Sequence, residues 1–423
     1  MAKITLALVG AGERGQFSYA PYARTHEYEL EFVAVADPNE GRRASFQKEY
    51  HIKDEMEFAS GEQFFAQPKL ADAVLICTQD NQHFDYACQA IRKGYIIMLE
   101  KPISPKLQEC LELQRMAEEY RTTIVVCHVL RYTKFYRKMK ELIESRIIGD
   151  IVSVTHAENV AYWHYAHSYV RGNWHVTADS SPMILAKCCH DMDILAWLLD
   201  SKCSTVSSFG DLKYFKKENA PEGSPERCTD GCSHSGTCPY YAPDIYLTED
   251  TSWPTSCLGS DMSYEARKRA LMEGPYGKCV FHNDNDVVDH QVATLLFDNG
   301  VTVAFTMCAF TNDCDRTMKF MGTKGEIRAS MEKNVIEVTE FATGTTNEYR
   351  INPGSAKHSG GDEGIMEELV AIIKGERDNT NLIQQSVHSH VMAFAIEESR
   401  LTGRTVQIAD FEKRVMDAQQ VSV

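Results

Sequence analysis

The chain has 423 residues, room for two or three domains, and an ordinary globular composition with 25% charged and 43% hydrophobic residues. Its formal net charge of −16 disfavours nucleic acid and an anionic membrane surface, both of which would repel it. No apolar run is long enough to span a bilayer and MAKITLALVG is short for a signal peptide, so a cytoplasmic protein is expected.

The first stretch, Ile4 to Gly15, reads ITLALVGAGERG. It predicts a buried strand running into the turn Gly10-x-Gly12-x-x-Gly15. Gly10 permits a tight turn, Gly12 lets a pyrophosphate approach the backbone, and Gly15 lets the next helix pack on the strand. The helix N-terminus then offers free N–H groups to phosphate. Glu13 and Arg14, inside the turn, count among the cofactor-facing residues. Glu31–Ala36 is a second strand ending at Asp37, an acidic residue placed to hold ribose hydroxyls. Asp37 favours NAD, because a carboxylate repels a 2′-phosphate. Arg42 and Arg43 follow closely and keep NADP open.

A helix is expected over Glu40–Tyr50. Ala71–Cys77 is a continuous apolar strand, as in a parallel sheet covered on both faces. It opens into Thr78, Asn81 and His83, polar groups at a strand's carboxyl end, where open α/β sheets bind ligands. Helix Gln82–Lys93, strand Tyr95–Leu99, helix Pro105–Tyr120 and strand Thr123–Cys127 complete a doubly wound alternation. The strand at Leu99 ends in Glu100-Lys101-Pro102. A lysine at that edge can hold a substrate hydroxyl and ease its deprotonation; the plain alternative is a solvated side chain.

Three stretches resemble the glucose–fructose oxidoreductase / inositol dehydrogenase family, known as Gfo/Idh/MocA: GAGERG, the segment Thr78–His83, and LEKPIS at Leu99–Ser104. The resemblance implies a Rossmann domain followed by an α/β domain with an open, mostly antiparallel sheet. It implies boundaries near 1–128 and 129–423. It also places Lys101 at the reacting carbon beside the nicotinamide, with Glu100 next to it.

The second domain opens with a helix over Thr133–Ile148 and a strand over Ile151–Val160. A loop rich in aromatic residues and histidines follows, including Arg171, Trp174 and His175. Rings there suit the C–H faces of a sugar; packing or a subunit contact would also explain them. Ser180-Ser181-Pro182 then starts a predicted helix to Leu199. Lys187, His190 and Asp191 share one face of it. By the resemblance, His190 is the acid/base. The family's substrate-contacting aspartate four residues earlier is Ala186 here, so Lys187 either takes its place or pairs with Asp191.

After a strand at Ser204–Asp211, periodicity is lost over about 214–286, too long for a structureless loop. This insertion holds Cys228, Cys232, Cys238 and Cys257, among fourteen cysteines in the chain. Four converging thiolates could hold a structural zinc or an iron–sulfur cluster, with His234 and Cys279 in reserve. Reduced thiols or disulfides are the alternatives. Beyond it, Asp289–Phe297, the turn Asp298-Asn299-Gly300, and Val301–Ala309 form a hairpin. Strands at Arg316–Met321, Glu326–Ala329, Val335–Thr339 and Thr345–Ile351 extend a meander. The resemblance puts His358 and Asp362 at the substrate pocket, ahead of helices Glu363–Ile373 and Gln384–Thr402. The expected activity is hydride transfer between NAD and a secondary hydroxyl of a sugar, polyol or glycoside. NAD-dependent glycoside cleavage through transient oxidation is the alternative. A homodimer or homotetramer is the family expectation.

Overall fold

The computed structural model describes residues 3–352, 360–377 and 382–420. The first half folds on a six-stranded parallel sheet in the order β3-β2-β1-β4-β5-β6. Its strands are β1 (Ile4–Val9), β2 (Leu30–Ala36), β3 (Glu57–Phe58), β4 (Ala73–Ile76), β5 (Ile96–Leu99) and β6 (Ile124–Val126). The central strands are apolar throughout because helices cover both faces; Ala73 to Ile76 are fully buried. The order reverses between β1 and β4. That switch point opens the crevice in which such sheets bind nucleotides.

The second half is built on a nine-stranded sheet in the order β14-β13-β12-β11-β7-β10-β9-β8-β15. Its strands are β7 (Ile151–Ala161), β8 (Cys203–Asp211), β9 (His290–Phe297), β10 (Thr302–Thr311) and β11 (Asp315–Gly322). They continue with β12 (Gly325–Ser330), β13 (Val335–Glu340), β14 (Thr346–Arg350) and β15 (Val406–Gln407). Only the β7–β10 pairing is parallel among these neighbours. Clean alternation along β9, with Gln291, Ala293, Leu295 and Phe297 buried, leaves one face packed and one open. The expected α/β architecture, a Rossmann sheet plus an open mostly antiparallel sheet, is therefore present.

Three features depart from the sequence reading. The expected helix from Ser180 to Leu199 is two, Met183–Ala186 and Cys189–Leu199, broken at Lys187 and Cys188. Strand β15 and a final helix, Ile408–Gln420, follow the last expected helix. The insertion has its own small core of Cys228, Ala242, Tyr246 and Leu271, with short helices at Ala242–Tyr246 and Tyr264–Glu273. Buried arginines do much of the fastening there. Arg267 donates to the carbonyls of Met262, Tyr246 and Thr248.

Candidate active site

The glycine turn has the shape its spacing predicts. Gly10 sits at φ 98°, where a Cβ would meet the Cys77 carbonyl. A Cβ on Gly15 would run into the Gly10 carbonyl and Leu8. Gly12 is different: a Cβ there would meet nothing nearer than the Arg42 guanidinium at 4.0 Å. The turn is packed tightly behind and open in front, which fits a pyrophosphate on the Gly12 side. Asp37 is buried under this turn. One oxygen accepts from the Ala11 amide at 2.7 Å and the other from the Asn39 amide at 2.8 Å. It therefore fixes the turn to the end of β2, with lone pairs left for a ribose hydroxyl. Arg43 pairs with Glu57 at 2.6 Å and donates to the Asp37 backbone carbonyl at 2.8 Å, while Arg42 lies by the turn.

Arg14 links three stretches that are distant in sequence. It pairs with Glu100 at 2.8 Å and with Asp362 at 2.8 Å. Tyr19 also donates to Glu100. Burial raises the Glu100 carboxyl, but Arg14 and Lys101 outweigh it and hold the group below the usual range. Asp362 was expected at the substrate pocket. It is buried and tied to Arg14, locking helix Gly361–Ile373 onto the glycine turn. His358 lies outside the described residues.

The T-x-x-N-x-H segment divides its work. The Thr78 hydroxyl is buried without a partner at the mouth of β4, a polar group fit for a bound ligand. Asn81 is exposed on the following turn. His83, expected at the cofactor, is fully buried instead. Its Nδ1 lies 2.7 Å from the Pro102 carbonyl, so it braces the turn that carries Lys101.

Lys101 reaches across the cleft. Its Nζ donates to the Ala186 carbonyl at 2.9 Å. That carbonyl is free because the helix breaks directly after it. The next helix begins at Cys189 and carries His190 on its first turn. The Lys101 charge lowers the His190 pKa, second only to burial, and together they drive it well below the ordinary imidazole value. His190 is thus a neutral base beside an ammonium group, one from each domain.

Behind His190 lies a charged array from the second sheet. Arg316 on β11 is 2.8 Å from Asp191 and 2.9 Å from Glu158 on β7. His156 Nε2 is 2.7 Å from Asp191. Burial raises the Asp191 carboxyl, but Arg316 and His156 outweigh it and hold it below the usual range. Glu158 goes the other way, raised by burial and by Asp191. Lys187 pairs with Glu158 at 3.4 Å rather than with Asp191. It remains half-buried at the helix break.

Of the aromatic loop, Trp174 donates its indole N–H to Asp80 at 3.3 Å, joining the two domains at the cleft rim. His175 bonds the Gly172 carbonyl at 2.7 Å and faces Asp284 at 3.4 Å. Arg171, expected to bind substrate, is 1% exposed and donates to the Lys278 and Tyr240 carbonyls. It anchors the insertion.

The four-cysteine metal site is corrected. Among the described residues no group of three or more His, Cys, Asp or Glu is arranged to hold a metal ion. Cys228 is buried in the insertion's small apolar core, while Cys232 and Cys238 are partly exposed. Cys257 is exposed, beside Leu258, which packs on the same small core. Apolar packing and buried arginines supply the rigidity that zinc was expected to give.

The sequence reading missed His128, Arg131, Asp193, Glu158 and Arg316. His128 had a signal: it follows β6 by two residues, at the same carboxyl edge of the sheet as Thr78 and Lys101. Glu158 and Arg316 had none, because their partnership spans two strands far apart in the chain.

The fold and its glycine turn define a two-domain, dinucleotide-binding oxidoreductase. Residues 4–128 match the family model described as "Oxidoreductase family, NAD-binding Rossmann fold", and residues 140–408 match its C-terminal alpha/beta domain. The chain belongs to the Gfo/Idh/MocA oxidoreductase family. It is similar to the putative oxidoreductase YteT of Bacillus subtilis, 24% identical over 369 residues and 82% of each chain. It is also similar to an inositol 2-dehydrogenase of Pseudomonas savastanoi pv. phaseolicola, 27% identical over 204 residues, 48% of this chain and 56% of that one. Among solved structures, the WlbA dehydrogenase of Bordetella pertussis, in complex with NADH and UDP-GlcNAcA, shares the fold. The TM-score is 0.66 at 16% identity, over 96% of this chain and 97% of that one.

Proposed function

We propose that this oxidoreductase transfers hydride between NAD and a secondary hydroxyl of a sugar, polyol or glycoside. The observation that carries the proposal is Lys101 reaching from the first domain to the Ala186 carbonyl at 2.9 Å, at the helix break just ahead of His190. When bound, NAD supplies the hydride acceptor. Gly10, Gly12 and Gly15 would cradle its pyrophosphate, with Asp37 toward the adenosine ribose and Thr78 and Asn81 lining the approach to β4. Glu13 lies in the same turn. Asp37 favours NAD, and Arg42 beside Gly12 is the group through which NADP would be accepted.

In the chain's own chemistry, Lys101 holds the substrate oxygen with a charged N–H and stabilises the alkoxide-like oxygen as it loses its proton. His190 is kept neutral by burial and by Lys101, so it is ready to take that proton. Lys187, Trp174 and His175 shape the rest of the pocket. Lys187 takes the place of the family's acidic contact, giving the pocket a second cation held by Glu158. A carbohydrate substrate is supported by the inositol 2-dehydrogenase relative and by the UDP-sugar in the WlbA structure. We place the protein in the cytoplasm, as a homodimer or homotetramer.

Redox-neutral glycoside cleavage is the second reading. It would use the same Lys101 and His190 on a nucleotide kept at the glycine turn. A nucleotide retained there would take a hydride and give it back. A panel of sugars, polyols and glycosides with NAD, read by NADH absorbance and product mass, tests both. Steady NADH accumulation supports the dehydrogenase. Aglycone release without NADH supports cleavage, and no reaction with any member refutes both.

A further inference from the structure

The helix break carries a second lysine besides the one that docks on it. Lys101 holds the carbonyl of residue 186, and Lys187 is the next residue along the chain. The Lys187 side chain is 18% exposed, and its ion pair with Glu158 Oε1 is long, at 3.4 Å. Among the described residues no hydrogen bond accepts from its ammonium group, which carries three donors. Donors this far from bulk water are costly to leave without acceptors. Nothing in the packing of the break requires a lysine there.

Glu158 is a divided counterion. It stands on β7 opposite Arg316 on β11, and its second oxygen is 2.9 Å from the Arg316 Nε. Burial and Asp191 raise its carboxyl against the pull of Arg316 and Lys187, so its charged form is disfavoured. Arg316 is itself shared with Asp191 at 2.8 Å. The field around the break is accordingly positive. Burial and then the Lys187 charge hold His164 well below the ordinary imidazole value. Burial and then Lys101 do the same to His190, and Arg316 lowers both. At both rings these cations outrank the carboxylates packed behind them.

We propose that Lys187 is a specificity-determining residue, and that the substrate is a sugar acid whose carboxylate it binds: a uronic or aldonic acid, free or as a glycoside. The proposal rests on the reading of Lys101 and His190 as the hydride-transfer site, where the reacting hydroxyl of the same molecule is held. A carboxylate supplies the acceptors that the Lys187 ammonium lacks, in a charge-assisted hydrogen bond. One negative charge suits this place better than two. Glu158 already faces the same ammonium, and Asp191 lies behind it on Arg316, so a phosphate dianion would meet two carboxylates with one cation to spare. A neutral sugar leaves the ammonium to Glu158 alone.

The test titrates glucuronate, galacturonate and gluconate into the NADH-loaded protein by calorimetry, where no turnover occurs. Each is set beside the compound with a primary alcohol in place of its carboxylate, and the one with a phosphate ester there. Expected for at least one acid is binding on the order of 10- to 100-fold tighter than its neutral partner, a margin that shrinks as salt is raised. Lys187→Met should bring that ratio close to one, and Lys187→Arg should keep most of it. Should Lys187→Met fail to fold, Lys187→Gln takes its place beside the wild-type comparison. The proposal is overturned if no acid binds, if the neutral or phosphorylated partners bind as tightly, or if the preference survives the loss of the Lys187 charge. Turnover with NAD separates the two readings. An acid bound through Lys187 that never yields NADH is a failure of the hydride-transfer reading. NADH formed from the neutral partners alone is a failure of this one.

Discussion

Three deeply buried histidines make stability depend steeply on mild acid. His128, His167 and His390 are 2%, 3% and 0% exposed. Burial is the main cause in each case, and it holds them neutral: His390 falls to about 3 and His167 to about 4, while His128 lies well below the ordinary value. Because the folded values are depressed, the unfolded chain binds protons that the native state refuses. Stability is therefore full above the unfolded value of about 6.5 and falls as pH drops below it, until each folded value is reached. At pH 5.5 each group removes about 1.4 kcal/mol, and the three together about 4 kcal/mol, a large part of a typical folding free energy. Proton uptake on unfolding at pH 5.5, measured by calorimetry in buffers of different ionisation enthalpy, should gain close to three protons from these groups. His390→Gln should lower that uptake by about one. Flat stability between pH 7.5 and 5.5, or uptake unchanged by His390→Gln, would refute the reasoning.

Removing the guanidinium in Arg316→Met leaves Asp191 and Glu158 buried side by side, and should destabilise by about 3–5 kcal/mol. Denaturant titration reads this, and adding Asp191→Asn should recover part of the loss. Gly15→Ala pushes a methyl into the Gly10 carbonyl and Leu8, so NAD affinity, read by calorimetric titration, should fall before the second domain loses stability. Lys101→Met should cut kcat by about 100-fold or more while NAD still binds; a fall in NAD affinity alone would place Lys101 in binding rather than catalysis.

Much of this was legible in the sequence because it is local. Gly10, Gly12 and Gly15 announce a turn through steric requirements that other residues cannot meet, and the apolar run before them must be a buried strand. Lys101 and Thr78 could be placed at the ligand edge because strand ends are readable. What failed to show was long-range. The break at Lys187 and Cys188 carries no glycine or proline to mark it, and the Ala186 carbonyl it leaves open is taken up by Lys101 from the other domain. Asp362 was placed at the pocket by the family resemblance, and Arg171 by its position in the aromatic loop. Their partners, the Lys278 and Tyr240 carbonyls and Arg14, lie too far along the chain to foresee. The cysteines looked like a zinc set by count, but Cys228 is buried in the insertion's apolar core, Cys257 is exposed, and among the described residues they do not converge.

Isotope tracing of the hydride tests the central claim most directly. A turned-over polyol or sugar carrying deuterium on its reacting carbon is incubated with the holoenzyme, and the cofactor pool is analysed by mass spectrometry. The account predicts one deuterium on the reduced nicotinamide in wild type, and a rate of transfer that collapses in both Lys101→Met and His190→Ala. Product formed with the deuterium never leaving its carbon, or transfer at the wild-type rate in both variants, would contradict it.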